Sequence, residues 1–221
     1  MTRFFWILFF ACAAFGLALP FRAAGAWPWW DPAWIMIFFV VVYADFAGRT
    51  GLSAARMSAG IVVISLAVLL GLSALTGWPV GPLRFTGHSG LRLGGGFPLM
   101  LPLLGFSLLT VSGQTAAAAF PGAGRPGLAS GTAGAFVLTV ANGTAFFTTG
   151  RFWWLWNPEG GGPAYGRAAL SLGVLAAAGF ALAFVYPVDS RMRRGRWNAG
   201  VAAWISTNVL FLAARLAALI P

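Results

Sequence analysis

Lysine is absent from this chain, aspartate and glutamate together number four, and cysteine and histidine occur once each. Each scarcity removes a class of function. A retinal protein of the seven-helix type needs a lysine amine for its Schiff base, and there is none to offer. Cys12 lies in the first apolar run, so the chain forms no internal disulfide and no thiolate metal cluster. His88 alone cannot build a haem or zinc centre, and no metal or other cofactor is implied. Charged residues make up 8% of the chain, against about 25% in soluble domains. That is too few to cover a water-facing surface. The net charge of +10 comes from fourteen arginines. They form no basic stripe with interleaved aromatics, which argues against nucleic acid as a partner. They sit mostly in short connectors, where arginine orients helices and meets lipid phosphate.

What is present is apolar: 59% of 221 residues are hydrophobic. Seven runs, at about 4–20, 33–48, 57–78, 97–113, 129–149, 168–187 and 200–220, approach the length needed to cross a hydrocarbon core of ~30 Å. The expected fold is all-α and integral to the membrane: about seven transmembrane helices in one bundle, a single polytopic domain over 1–221. No internal repeat, soluble domain or low-complexity tail interrupts it. The small residues Ala23, Ala24, Gly25 and Ala26 after the first run resemble a leader cleavage site. We read the run as a retained helix.

Arginine sets the expected orientation. Arg3, Arg49, Arg56, Arg125 and the cluster Arg191, Arg193, Arg194 and Arg196 share one side; Arg22, Arg84, Arg92, Arg151, Arg167 and Arg215 fall on or toward the other. The cluster puts the N-terminus in the cytoplasm and the C-terminus outside the cytoplasmic (inner) membrane. Eight of the eleven tryptophans, namely Trp27, Trp29, Trp30, Trp34, Trp78, Trp153, Trp154 and Trp156, then belong to the outer side. An interfacial belt accounts for part of this bias. The surplus points to an aromatic cap made by the connectors after helices 1, 3 and 5.

Two of those connectors are patterned. In 72–104, Thr76, Gly77, Pro79, Gly81 and Arg84 punctuate the first half, and Gly94, Gly95, Gly96, Pro98 and Pro102 the second. In 150–166, Arg151, Trp153, Trp154, Trp156, Asn157, Glu159 and Tyr165 stand among glycines and prolines. Aromatic rings there suit an apolar ligand, with polar tips to orient it; an interfacial anchor loop is the plainer alternative.

Glu159 is the acid with no evident structural duty. Asp31 reads as a helix cap, and Asp189 as a salt-bridge partner of the arginine cluster. Asp45, at membrane depth, is a functional candidate, or else a helix-end partner for Arg49 four residues on. It lies about 17 Å along the helix from Trp34 and forms no acid/base pair with Glu159. Asn142, mid-helix with Thr139 and Thr149 on roughly its face, needs a partner, for instance in Ser206-Thr207-Asn208. Residues 87–91, Gly-His-Ser-Gly-Leu, resemble a nucleophile elbow, but the fifth residue is Leu and no strand is expected before it. His88 is therefore read as a loop residue. The three consecutive glycines 94–96 lack the lysine and spacing of a phosphate loop.

Thr76-Gly77-Trp78-Pro79-Val80-Gly81-Pro82-Leu83-Arg84-Phe85-Thr86 and Leu91-Arg92-Leu93-Gly94-Gly95-Gly96-Phe97 lead into Pro98-Leu99-Met100-Leu101-Pro102-Leu103. With Trp153-Trp154-Leu155-Trp156 and Gly162-Pro163-Ala164-Tyr165-Gly166, this text resembles a membrane carotenoid-biosynthesis family. Its members include bacterial γ-carotene hydratases and archaeal bisanhydrobacterioruberin hydratases. The resemblance spans 72–166 and is carried by Gly, Pro and Trp. It departs at the family's acids: Leu70-Gly71, Ala141-Asn142 and Phe146-Phe147 stand where that family carries them.

The resemblance implies a hydratase (a lyase) acting on a carotenoid end-group double bond. Glu159 is then the proton donor, Asn142 and Tyr165 position water, and Trp78, Arg84, Trp153, Trp154 and Trp156 bind substrate; Asp45 and His88 are further candidates. The alternative is a non-catalytic carotenoid-binding or structural subunit of a pigment–protein membrane assembly, favoured by the missing acids. A transporter is a weaker third reading, since no paired broken helices are visible.

Overall fold

A computed structural model describes residues 2–18, 30–79, 83–85, 91–93, 97–119, 126–147, 154–156, 164–185 and 199–217. The chain is mostly helical. In order, the elements are α1 (Thr2–Ala18), α2 (Trp30–Thr50), α3 (Leu52–Thr76), β1 (Leu83–Phe85), β2 (Arg92–Leu93) and β3 (Phe97–Pro98). Then follow α4 (Met100–Ala119), α5 (Pro126–Phe147), β4 (Trp154–Trp156), α6 (Ala164–Val185) and α7 (Ala199–Ala217). Each apolar run contains a helix, the fourth beginning at Met100 after the strand Phe97–Pro98, and the all-α expectation needs one correction: the patterned connectors contain strands. Two stretches among the described residues, Pro32–Thr50 and Leu52–Thr76, are long and apolar enough to cross a membrane.

The boundaries shift where polar residues join helices. Ser53 and Arg56, expected to precede the third helix, form its first turns, so a single residue separates α2 from α3. That residue is Gly51, with φ 89° and ψ 150°, a backbone that side-chain-bearing residues rarely adopt. Its N–H still donates to the Ala47 carbonyl at 2.9 Å, and its own carbonyl accepts from the Ala55 N–H at 3.0 Å. Both helices therefore keep their terminal hydrogen bonds across the corner. Asp31 falls inside the first turn of α2 rather than at its cap.

Helix α4 is the central post. It touches α2, α3, α5, α6 and α7, and from Met100 to Gly113 every residue but Leu103 is buried. A helix that is apolar all round belongs in such a position. Its hydroxyls stay within the helix: Ser107 donates to Leu103 O (3.0 Å), Thr110 to Phe106 O (2.9 Å) and Ser112 to Leu109 O (2.6 Å). Phe106 packs against Phe39, Tyr43 and Phe46 of α2. Helix α1 joins the core through Phe9, which is fully buried against Trp34 and Phe38.

Helices α5 and α6 make the most extensive helix–helix contact, and small residues permit it. A Cβ at Gly134 would stand 2.5 Å from the Gly179 carbonyl oxygen and 2.7 Å from the Ala183 Cβ. A Cβ at Gly131 would meet the Phe180 ring at 3.0 Å. Such close backbone approach is the usual way helices associate where lipid gives no hydrophobic drive between them.

Candidate functional site: the two-connector cap

The cap begins where α3 stops. Gly77 takes the left-handed conformation (φ 73°) and its N–H closes back on the Ser73 carbonyl at 2.9 Å, a glycine cap that ends the helix. Thr76 Oγ1 donates to Leu72 O at 2.7 Å and accepts from the Trp78 N–H at 3.2 Å. The Thr-Gly pair is thus a helix stop that delivers Trp78, 73% exposed, into the connector.

The decisive contact follows. Strand β1 pairs antiparallel with β4: Leu83 opposes Trp156, Arg84 opposes Leu155 and Phe85 opposes Trp154. Two connectors far apart in sequence are one ribbon at one end of the bundle, as the placement of their glycines and tryptophans predicts. The ribbon rests near the ends of α3 and α6.

A second ribbon braces the first. Strands β2 and β3 form a hairpin around the glycines 94–96, pairing Arg92 with Pro98 and Leu93 with Phe97. The Leu99 N–H donates to Leu91 O at 2.9 Å, which extends the pairing to the start of α4. Phe97 meets Phe85 edge-on, with centroids 5.8 Å apart, and its ring lies 3.9 Å from where a Cβ of Gly71 would be. Arg92 Nη2 donates to the Phe85 carbonyl at 3.2 Å. Hairpin, ribbon and the last turns of α3 are thereby tied together. Sequence reading counted Arg92 only as an orienting charge. The signal that could have revealed it is the Leu-Arg-Leu before three glycines and Phe-Pro, a hairpin pattern.

No protein-family model, curated protein or solved structure matches this chain. The site is therefore read from its own geometry.

The expected site residues divide as follows. Arg84, Trp154 and Trp156 lie in the paired backbone of the ribbon. Asn142 and Tyr165 lie on α5 and α6, their side chains outside the described residues, as do Trp153, Glu159 and His88 altogether. Asp45 is elsewhere. It sits near the Gly51 corner, and α3, about 37 Å long at 1.5 Å per residue, separates that corner from the cap. Arg49 Nη2 reaches its two carboxylate oxygens at 2.8 and 3.0 Å, so the helix-end pair is formed. One sequence inference is corrected: a strand, β1, does precede His88. The next described element after it is another strand, β2, rather than the helix that follows a nucleophile elbow. Among the described residues no three His, Cys, Asp or Glu gather as a metal site.

Proposed function

We propose that this chain is a polytopic protein of the cytoplasmic membrane, crossing it seven times, which holds a long polyene with one end beneath the two-connector cap. The observation that carries this reading is the β1–β4 ribbon, which joins the connectors after α3 and α5. In a bundle of alternating crossings those connectors share a membrane face. The outward faces support residence in lipid: Ile64, Val68, Leu72 and Leu75 of α3, and Ile205, Val209, Leu212 and Leu216 of α7, are exposed at helical spacing. Water-soluble proteins rarely expose contiguous apolar stripes of this kind.

The activity proposed is hydration of a carotenoid end-group double bond. A carboxylic acid adds its proton to one alkene carbon, leaving a tertiary cation on the other. Water adds to that carbon, and the surplus proton returns to the carboxylate, so the sum is alkene plus water to alcohol. Glu159 takes the acid's role, with Asn142 and Tyr165 holding the water and the cap tryptophans the polyene. A non-catalytic carotenoid-binding subunit is the second reading. It is favoured by the packing at Leu70 and Gly71, where Leu70 is buried and Gly71 underlies Phe97 instead of carrying an acid.

Pigment analysis of a carotenoid-producing host with and without the chain tests both. Hydroxylated end groups that appear with the chain and vanish with Glu159→Gln support the enzyme. Unchanged pigments with a carotenoid copurifying stoichiometrically support the binding subunit. If the chain yields no new pigment and binds no carotenoid, the proposal fails.

A further inference from the structure

We infer that α7 carries a hydroxyl-binding site, built from Trp204 and Asn208, half-way along the helix. Trp204 Nε1 and Asn208 Oδ1 are shut off from solvent, and neither has a hydrogen-bond partner among the described residues. One is a donor and the other an acceptor. The Asn208 amide is not free to exchange them. Its Nδ2 donates to the Trp204 carbonyl at 2.9 Å, and a carbonyl only accepts, so the nitrogen faces the backbone and the oxygen is left over. The indole is held as well, edge-on to Phe136 of α5 at 5.9 Å.

Residues four apart lie on one helix face with Cβ atoms about 5–6 Å apart. A hydroxyl about 2.8 Å from each of two atoms spans a comparable distance. It gives one proton to Asn208 Oδ1 and takes one from Trp204 Nε1, which neither a carbonyl nor an ammonium can do. Asn208 is the middle residue of α7, which packs against α1, α4 and α5. Left without a partner, an amide oxygen and an indole N–H shut off from solvent carry the full cost of desolvation. The occupant is a hydroxyl group, either that of a membrane-soluble alcohol or a trapped water. The site lies half-way along α7, not in the cap, and stands apart from the reading given above for the cap.

The sign of a stability change tests it. If nothing sits there, replacing Asn208 by the similarly sized, apolar Leu removes an orphaned polar group and leaves the protein as stable or more so. With a hydroxyl in place, N208L lowers the thermal unfolding midpoint of the detergent-purified chain by about 2–6 °C. In a W204F background, where the hydroxyl has already lost its donor, that drop shrinks to less than half. An unchanged or raised midpoint in N208L overturns the proposal, and so does an equal drop in both backgrounds. Farnesol and farnesene, added separately, identify the source. A larger stabilisation by farnesol that W204F abolishes marks a ligand alcohol; equal stabilisation, or a farnesol preference that W204F retains, marks water.

Discussion

One methyl group added at Gly134 should pry α5 away from α6. The new Cβ would lie 2.5 Å from the Gly179 carbonyl oxygen, 3.2 Å from its carbonyl carbon and 2.7 Å from the Ala183 Cβ. Ordinary contact begins near 3.4 Å, so the gap must widen by 3.4 − 2.5, about 0.9 Å. Two of the three obstacles are backbone, so no side-chain rotation relieves them. Opening a packed interface by about 0.5–1 Å forfeits a quarter to a half of each dispersion contact along it. Overpacking of this kind costs about 1–3 kcal/mol. Alanine returns about 0.5–1 kcal/mol through its better helix propensity. The net for Gly134→Ala is then a loss of up to about 2.5 kcal/mol, centred at about 1 kcal/mol, seen as a midpoint about 2–4 °C lower in thermal unfolding of the purified chain. Gly173 on α6 is the internal control. A Cβ there meets nothing within 4 Å, so Gly173→Ala keeps only the propensity gain and raises the midpoint. A G134A protein as stable as the parent, or a G173A protein equally damaged, would refute the packing argument.

Gly51→Ala meets open space, so its cost is purely that of the left-handed backbone at φ 89°, about 1–3 kcal/mol by the same melting assay. Asp45→Asn breaks a pair whose arginine side chain is 48% exposed. The expected loss is under about 0.5 kcal/mol and fades in high salt; a loss of pigment conversion instead would return Asp45 to the functional candidates. Arg92→Gln removes the bond to the Phe85 carbonyl. It should speed amide hydrogen exchange in β1, β2 and β3 with little change in the melting midpoint, and unaltered exchange there would deny Arg92 its bracing role.

The cap was partly legible before any coordinates. Glycine at 77 and the polar Thr76 announce a helix stop by local rules, and the stop is where they put it. Strand pairing was not legible, because three residues such as Leu83–Phe85 carry no period long enough to read. The polar first turns of α3 misled in the same way: Ser53 and Arg56 read as connector because composition outweighs propensity over so short a span. The pairing of Asp45 with Arg49 was legible from their spacing, and the structure forms it at 2.8 Å.

Sequence alone determined that this chain is mostly helical, poor in charge and unable to make a thiolate or lysine-based centre. Those properties depend on composition and on residues a few positions apart. Only the tertiary structure decided that Arg84 lies across from Leu155, that Arg92 ties the hairpin to Phe85, and that α4 is the buried post. It also left the Asn208 oxygen without a partner among the described residues. Each of these depends on where separate elements meet in space, which no local sequence pattern specifies.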